Sequence, residues 1–329
     1  MRYEILDNCL NRRLAQSIID KDYRLMLGRG AIITKNYIER LKSYGVFIVA
    51  IEDDNVDDIS PNDFVPPVLV IEADKAINNV DVDRISLIAD RIVKSMLDDA
   101  ESINDGFVML RRYDENTADH SINVAVLAVS LGIATGLDSA HLKYLAAGSL
   151  LHDIGKTKIP PEILNKKGAL TPEEFAEIKR HPEYGYKMIK EDVIMPIPTK
   201  AIILQHHENW DGTGYPRGLS GDDIYSLASI VHICDVFDAL VSKRSYKEAF
   251  SYKDSFEYLR TMNGTMFSPK FIDCFFKYVP VFAVGLTVTL SDGRRGVVVK
   301  NNRGNMDSPV VRVGKQDIDL RESELYISK

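Results

Sequence analysis

The residues best equipped for chemistry are histidines and aspartates, and they are concentrated. All seven histidines, His120, His141, His152, His181, His206, His207 and His232, fall in one part of the chain with Asp153, Asp235 and Asp238. His152 and Asp153 close an apolar stretch (Leu142, Leu145, Ala146, Leu150) that Gly155 is expected to end, so they emerge side by side at a helix mouth. Neighbouring helical residues point about 100° apart, so a cation held by one leaves the other able to reach a second. His206 and His207 stand one turn after Ile202 and Ile203, so one imidazole must face inward, at a desolvation cost unless something accepts its lone pair. A solvated pair is the plain alternative. His181 precedes Pro182 at a break between helices, where a histidine by itself is ordinarily a loop residue. Asp235 lies on an apolar helix behind Leu227 and Val231, with Asp238 following, and a buried carboxylate there needs a partner such as a metal. His120 opens the apolar helix from Ile122 to Ile133 and is a further candidate ligand, whereas His141 and His232 are read as structural. Imidazole and carboxylate donors without thiolates suit Fe, Mn, Zn or Ni better than Mg, and a bridging carboxylate suits two ions about 3.5 to 4 Å apart.

The elements that must position these groups change texture along the chain. Up to about residue 75, short β-like runs (Ala31 to Ile33, Val46 to Ile51, Val65 to Ile71) surround a helix-like stretch, Asn36 to Tyr44, ended by Gly45, which reads as a small α+β module. From about Ile77 to Phe276 apolar residues recur at three- and four-residue spacing, predicting a helical core. After Pro280, runs at Thr287 to Leu290, Gly296 to Val299 and Val310 to Val313, separated by Gly- and Asn-rich turns, predict a small β-barrel. The division expected is 1–76, 77–279 and 280–329, with a fragment over about 77–278 able to fold and keep its metals.

At 329 residues the chain has room for two or three domains at roughly 100 to 200 residues each. Hydrophobic residues make up 45% and charged residues 27%, a globular mixture that excludes a disordered chain. The net charge of −7 carries no basic footprint for a nucleic-acid polymer. The longest nearly apolar run, Val124 to Ala134, falls well short of the roughly 20 residues of a membrane span. With no signal-peptide core at the start, a cytoplasmic location is expected. Cys9, Cys234 and Cys274 neither pair evenly nor sit at zinc spacing, so sulfur chemistry is not expected.

The motifs His152-Asp153-Ile154-Gly155-Lys156, His181-Pro182, His206-His207-Glu208, Asp211-Gly212, Gly214-Tyr215-Pro216, Asp235 to Leu240 and Arg244 to Lys247 occur in order. Over about Asp105 to Tyr278 the chain resembles the HD-GYP subgroup of the HD phosphohydrolase superfamily, whose known members are cyclic di-GMP phosphodiesterases. The resemblance implies a mainly α protein, an all-helical HD-type core flanked by the two end modules. It also implies a metal-dependent phosphodiesterase with a two- or three-metal centre that opens cyclic di-GMP to linear pGpG or GMP; the mechanism expected is in-line attack of a hydroxide shared by two divalent ions, Fe or Mn in preference to Zn or Ni. Carried over by position, His120, His152, Asp153 and Asp235 hold one metal, and Asp153 bridges to a second held by His181, His206 and His207. Lys156 is implied to hold a phosphate oxygen, Tyr215, Arg244 and Lys247 to meet the substrate, and Asp238 to orient a ligand. Cys234 and Ser245 depart mildly from the family pattern. Asn116 stands where three-metal members carry Glu, so two metals are expected.

Two rivals remain on the sequence alone. One is a hydrolase of another nucleotide, such as a guanosine polyphosphate or a mixed cyclic dinucleotide. The other is a non-catalytic cyclic dinucleotide receptor that signals through the end modules, which could equally serve a homodimer contact or a partner protein.

Overall fold

The computed structural model describes residues 1–20, 22–56, 58–59, 66–98, 117–166, 168–242 and 250–328. The N-terminal unit contains β1 (Arg2–Ile5), β2 (Ile18–Ile19), β3 (Leu25–Leu27), α1 (Lys35–Ser43) and β4 (Ile48–Ile51). β1 pairs antiparallel with β4, and β2 with β3. The Thr34 hydroxyl caps α1 by accepting the Tyr37 N–H, and the helix lays Ile38 and Leu41 onto a small core with Leu6, Leu14, Ile33 and Ile51. Ala31 to Ile33 forms only an isolated bridge, at Ile32, and does not build the expected strand. Val65 to Ile71 is corrected more sharply, because from Pro67 onward it is helix. Pro67 supplies the fixed φ that suits a first helical position.

Eleven helices follow among the described residues: α2 (Pro67–Asn79), α3 (Val82–Asp98), α4 (Thr117–Ala134), α5 (Ser139–Leu151), α6 (Pro161–Leu164), α7 (Pro172–Ile178), α8 (His181–Ile189), α9 (Ile197–Gln205), α10 (Ser226–Val241), α11 (Tyr252–Thr261) and α12 (Pro269–Tyr278). α4 is the central rod, with Ile122, Leu131 and every residue from Val124 to Val129 buried. A helix apolar on all sides must be enclosed, and α3, α5, α10 and α12 lie around it.

The C-terminal strands are β5 (Thr287–Thr289), β6 (Arg295–Lys300), β7 (Val310–Val313) and β8 (Gln316–Asp319), an antiparallel meander in chain order. This corrects the expected barrel: among the described residues no pairing joins β5 to β8, so the sheet stays open. Its apolar face does not close on itself. Val288, Leu290, Val298, Val311 and Leu320 instead enter the same core as the helices. The two ends also meet, through Tyr3 N–H donating to Gly285 O at 2.8 Å and Arg295 donating to the buried Glu4 carboxylate at 2.6 Å. The division at 76/77 falls inside α2, whose Leu69, Val70, Ala73 and Ala76 are part of the main core. We propose the cut before Pro67 instead, with the C-terminal sheet kept on the helical domain. Among the described residues no helix is long and apolar enough to cross a membrane.

Candidate metal centre

Three of the candidate imidazoles of the helical core sit at helix ends, and the reason is local. The last carbonyls of a helix lack intrahelical donors. His152, just after α5, points Nδ1 at Ser149 O at 2.7 Å; His206, just after α9, at Ile203 O at 2.9 Å; His181, following α7, at Ile178 O at 2.8 Å. Each carbonyl accepts the Nδ1 proton, so each ring turns a bare Nε2 lone pair to the interior. His120, in the first turn of α4, uses Asp238 on α10 for the same purpose, Nδ1 to Oδ2 at 2.7 Å. Asp238 also accepts from Asn123 at 3.0 Å.

The inward atoms form two groups. Nε2 or Nδ1 of His120 and His152 and a carboxylate oxygen of Asp235 lie within 4.8 Å of one another, as do the donor atoms of Asp153, His181, His206 and His207. Asp153 faces both: Oδ2 is 3.4 Å from His152 Nε2, and Oδ1 is 3.3 Å from His181 Nε2. The protein thus brings together every candidate ligand read from the sequence.

The donor set fits cations. With their protons committed to carbonyls, His181 and His206 set two Nε2 lone pairs 3.2 Å apart, an arrangement that repels unless a positive ion lies between. His152 Nε2 and Asp153 Oδ1 are buried with no hydrogen-bond partner among the described residues. Burial pushes His206 and His207 well below the ordinary imidazole range and His181 down to about 4, so all three are neutral donors near neutral pH. For His120 burial works the same way, but its bonds to Asp235 and Asp238 outweigh it and hold the ring up at about 9. Burial raises Asp153 and Asp235, yet Lys156 beside the first and His120 beside the second keep both carboxyls well below their usual range.

Around this centre, Lys156 Nζ is 2.5 Å from Asp153 Oδ2. The Tyr215 ring stacks on His207 at 4.7 Å between centroids, tilted 29°. Its phenol stays protonated, because burial, then Asp235 and Asp153, raise its pKa. Arg244, Lys247, Ser245 and Asn116 lie outside the described residues.

Three residues contribute to the site in ways the sequence reading did not foresee. Gly155 does not end a helix; it lies within a 3-10 turn, Ile154–Lys158, pressed against the start of α8. His232 donates its Nε2–H to Asn209 Oδ1 at 3.1 Å, behind His207. Glu208 is buried under the loop that carries Tyr215. The signals available for Glu208 were its place in the His206-His207-Glu208 motif and its position before a Gly-rich loop, whose free N–H groups are what a buried carboxylate requires.

Comparison with known proteins agrees with this geometry. The family model described as HD domain matches residues 101–271. A cyclic di-GMP phosphodiesterase of Pseudomonas aeruginosa is 35% identical over 234 residues, covering 71% of this chain and 56% of that protein. A cyclic di-GMP phosphodiesterase of Thermotoga maritima is 37% identical over 171 residues, covering 51% of this chain and 46% of that protein. The chain therefore spans about half the length of these curated relatives. A solved structure, an HDG"Y"P protein from Bdellovibrio bacteriovorus, superposes with a TM-score of 0.57 at 19% identity over 83% of this chain and 97% of that one, a likeness of fold. With the model matched across its helical core and the ordered His152-Asp153 to Gly214-Tyr215-Pro216 motifs in place, the chain belongs to the HD domain family, in its HD-GYP group.

Proposed function

We propose that the protein is a metal-dependent phosphodiesterase that hydrolyses cyclic di-GMP to linear pGpG or GMP, with two divalent ions, Fe or Mn in preference to Zn or Ni. The observation that carries this reading is Asp153, which presents one oxygen to each of two buried donor groups. The names of the relatives supply the substrate. His120, His152 and Asp235 would hold one ion, His181, His206 and His207 the other, with Asp153 common to both. Two such ions would lower the pKa of a bound water and neutralise charge on the phosphoryl oxygens.

The chain's own groups do the rest. Lys156, a point charge on a flexible stem beside Asp153, is placed to steady an anionic phosphoryl oxygen as hydroxide adds to phosphorus and the ribose oxygen leaves. Tyr215, flat on His207 and protonated, offers a ring face and a hydroxyl donor to a guanine. Arg244 and Lys247 are proposed to meet the substrate's phosphates. Anaerobically purified, metal-loaded protein incubated with cyclic di-GMP, a mixed guanine–adenine cyclic dinucleotide and cyclic di-AMP, followed by chromatography, tests this. Fastest loss of cyclic di-GMP, abolished by chelator, is the expected result. Faster loss of the mixed dinucleotide changes the substrate assignment, and no loss of any of them ends the phosphodiesterase reading.

A further inference from the structure

Glu208 directly follows the two histidines, yet its carboxylate turns away from them. It is 1% exposed, and among the described residues no Lys or Arg pairs with it. Instead Oε1 accepts the Arg217 N–H at 2.8 Å and Oε2 accepts the Leu219 N–H at 2.9 Å. Buried charge is tolerated only where it is met by donors, so these two bonds fix the far side of the loop from Asp211 to Leu219. The near side is fixed by Tyr215 N–H donating to His207 O at 3.0 Å. Between them Gly214 lies against the chain it has left: a Cβ there would be 2.2 Å from Asn209 N and 2.5 Å from His207 O. The loop is thus folded flat onto residues 207–209, and in that position Tyr215 stacks on His207.

We propose that Glu208 is a positioning residue for substrate recognition: it clamps the loop through the Arg217 and Leu219 N–H groups and so holds Tyr215 where a base of the dinucleotide would meet it. It acts through Tyr215, and this deepens the phosphodiesterase reading on which it rests. A glutamine at this position offers one acceptor oxygen and sets its NH2 against the second N–H, so it keeps one of the two bonds.

The test uses the full metal-loaded chain as wild type, Glu208→Gln, Glu208→Ala, Tyr215→Ala and the Glu208→Ala/Tyr215→Ala double variant. Metal content is expected to be unchanged in all of them. KM for cyclic di-GMP should rise at least about tenfold in Glu208→Ala, the worth of a lost hydrogen bond to a charged acceptor, with kcat little changed and Glu208→Gln between. In the Tyr215→Ala background the Glu208→Ala effect should vanish. Additive losses, a fall in kcat at constant KM, or loss of metal from both Glu208 variants would overturn the proposal. Trypsin cleavage after Arg217, followed by mass spectrometry, reads the clamp without turnover: Glu208→Ala should be cut about tenfold faster than wild type. Equal rates overturn the clamp, whereas an inactive wild type with a protected Arg217 sinks the phosphodiesterase reading and leaves the clamp standing.

Discussion

Gly155 and His181 touch backbone to backbone. A Cβ on Gly155 would lie 1.9 Å from the His181 carbonyl oxygen and 2.5 Å from Gly185 N, so the turn after Asp153 and the start of α8 can close only while residue 155 has no side chain. This approach brings His181 Nε2 to 3.3 Å from Asp153 Oδ1. Gly155→Ala must push α8 away. We expect a loss of about 3 kcal/mol or more in urea unfolding, the upper end for overpacking, together with weakened metal on the His181 side. Unchanged stability and metal content would show that α8 does not depend on this contact.

Asp153→Ala and Lys156→Ala should separate metal binding from rate. Removing Asp153 takes the oxygen facing each donor group, so elemental analysis should find both ions reduced and activity gone. Lys156→Ala should keep the metals and lose kcat. Full activity in Lys156→Ala would end the phosphate role given to that ammonium.

Asp238→Ala takes away the carboxylate that accepts from His120 Nδ1 and from the Asn123 side-chain amide. The ring is then free to turn its Nε2 away. Metal titration should show affinity on the His120 side falling about 10- to 100-fold, the usual loss for a ligand's orienting partner. Affinity within twofold of wild type would contradict that assignment.

A fragment of residues 77–279 cuts α2 and strips Val288, Leu290, Val298 and Val311 from the main core, so it should be less stable and more aggregation-prone than residues 67–328. Circular dichroism melts of the two decide this. Equal melting temperatures would restore the shorter boundaries.

The two candidate donor groups could be picked out in the sequence because a carboxylate or imidazole on an apolar helix face must find a partner that offsets its desolvation, and the resemblance of the ordered motifs suggested which of them belong together. The helical core was legible by its periodicity, as α3, with Ile85, Ile88, Ile92 and Met96 buried, and α12, with Phe271, Ile272 and Phe275 buried, illustrate. What was not legible depends on long-range contact. Gly155 reads as a helix stop until α8 is placed beside it, and the apolar face of the C-terminal strands reads as a barrel interior until the helices are found to cover it. β8, Gln316–Asp319, has too polar a sequence to announce a strand. Val65 to Ile71 carries β-branched residues that favour a strand, and the packing of α2 against the core overrides that preference.

The most direct test of two cations joined by Asp153 is anomalous diffraction from crystals of protein loaded with iron or manganese. Two peaks of similar height are predicted about 3.5 to 4 Å apart, one against His120, His152 and Asp235 and the other against His181, His206 and His207, with the Asp153 carboxylate between them. Asn116→Glu, which adds an acid four residues before His120 in the sequence, should be able to add a third. A single peak, or three peaks in the unaltered protein, would contradict this account.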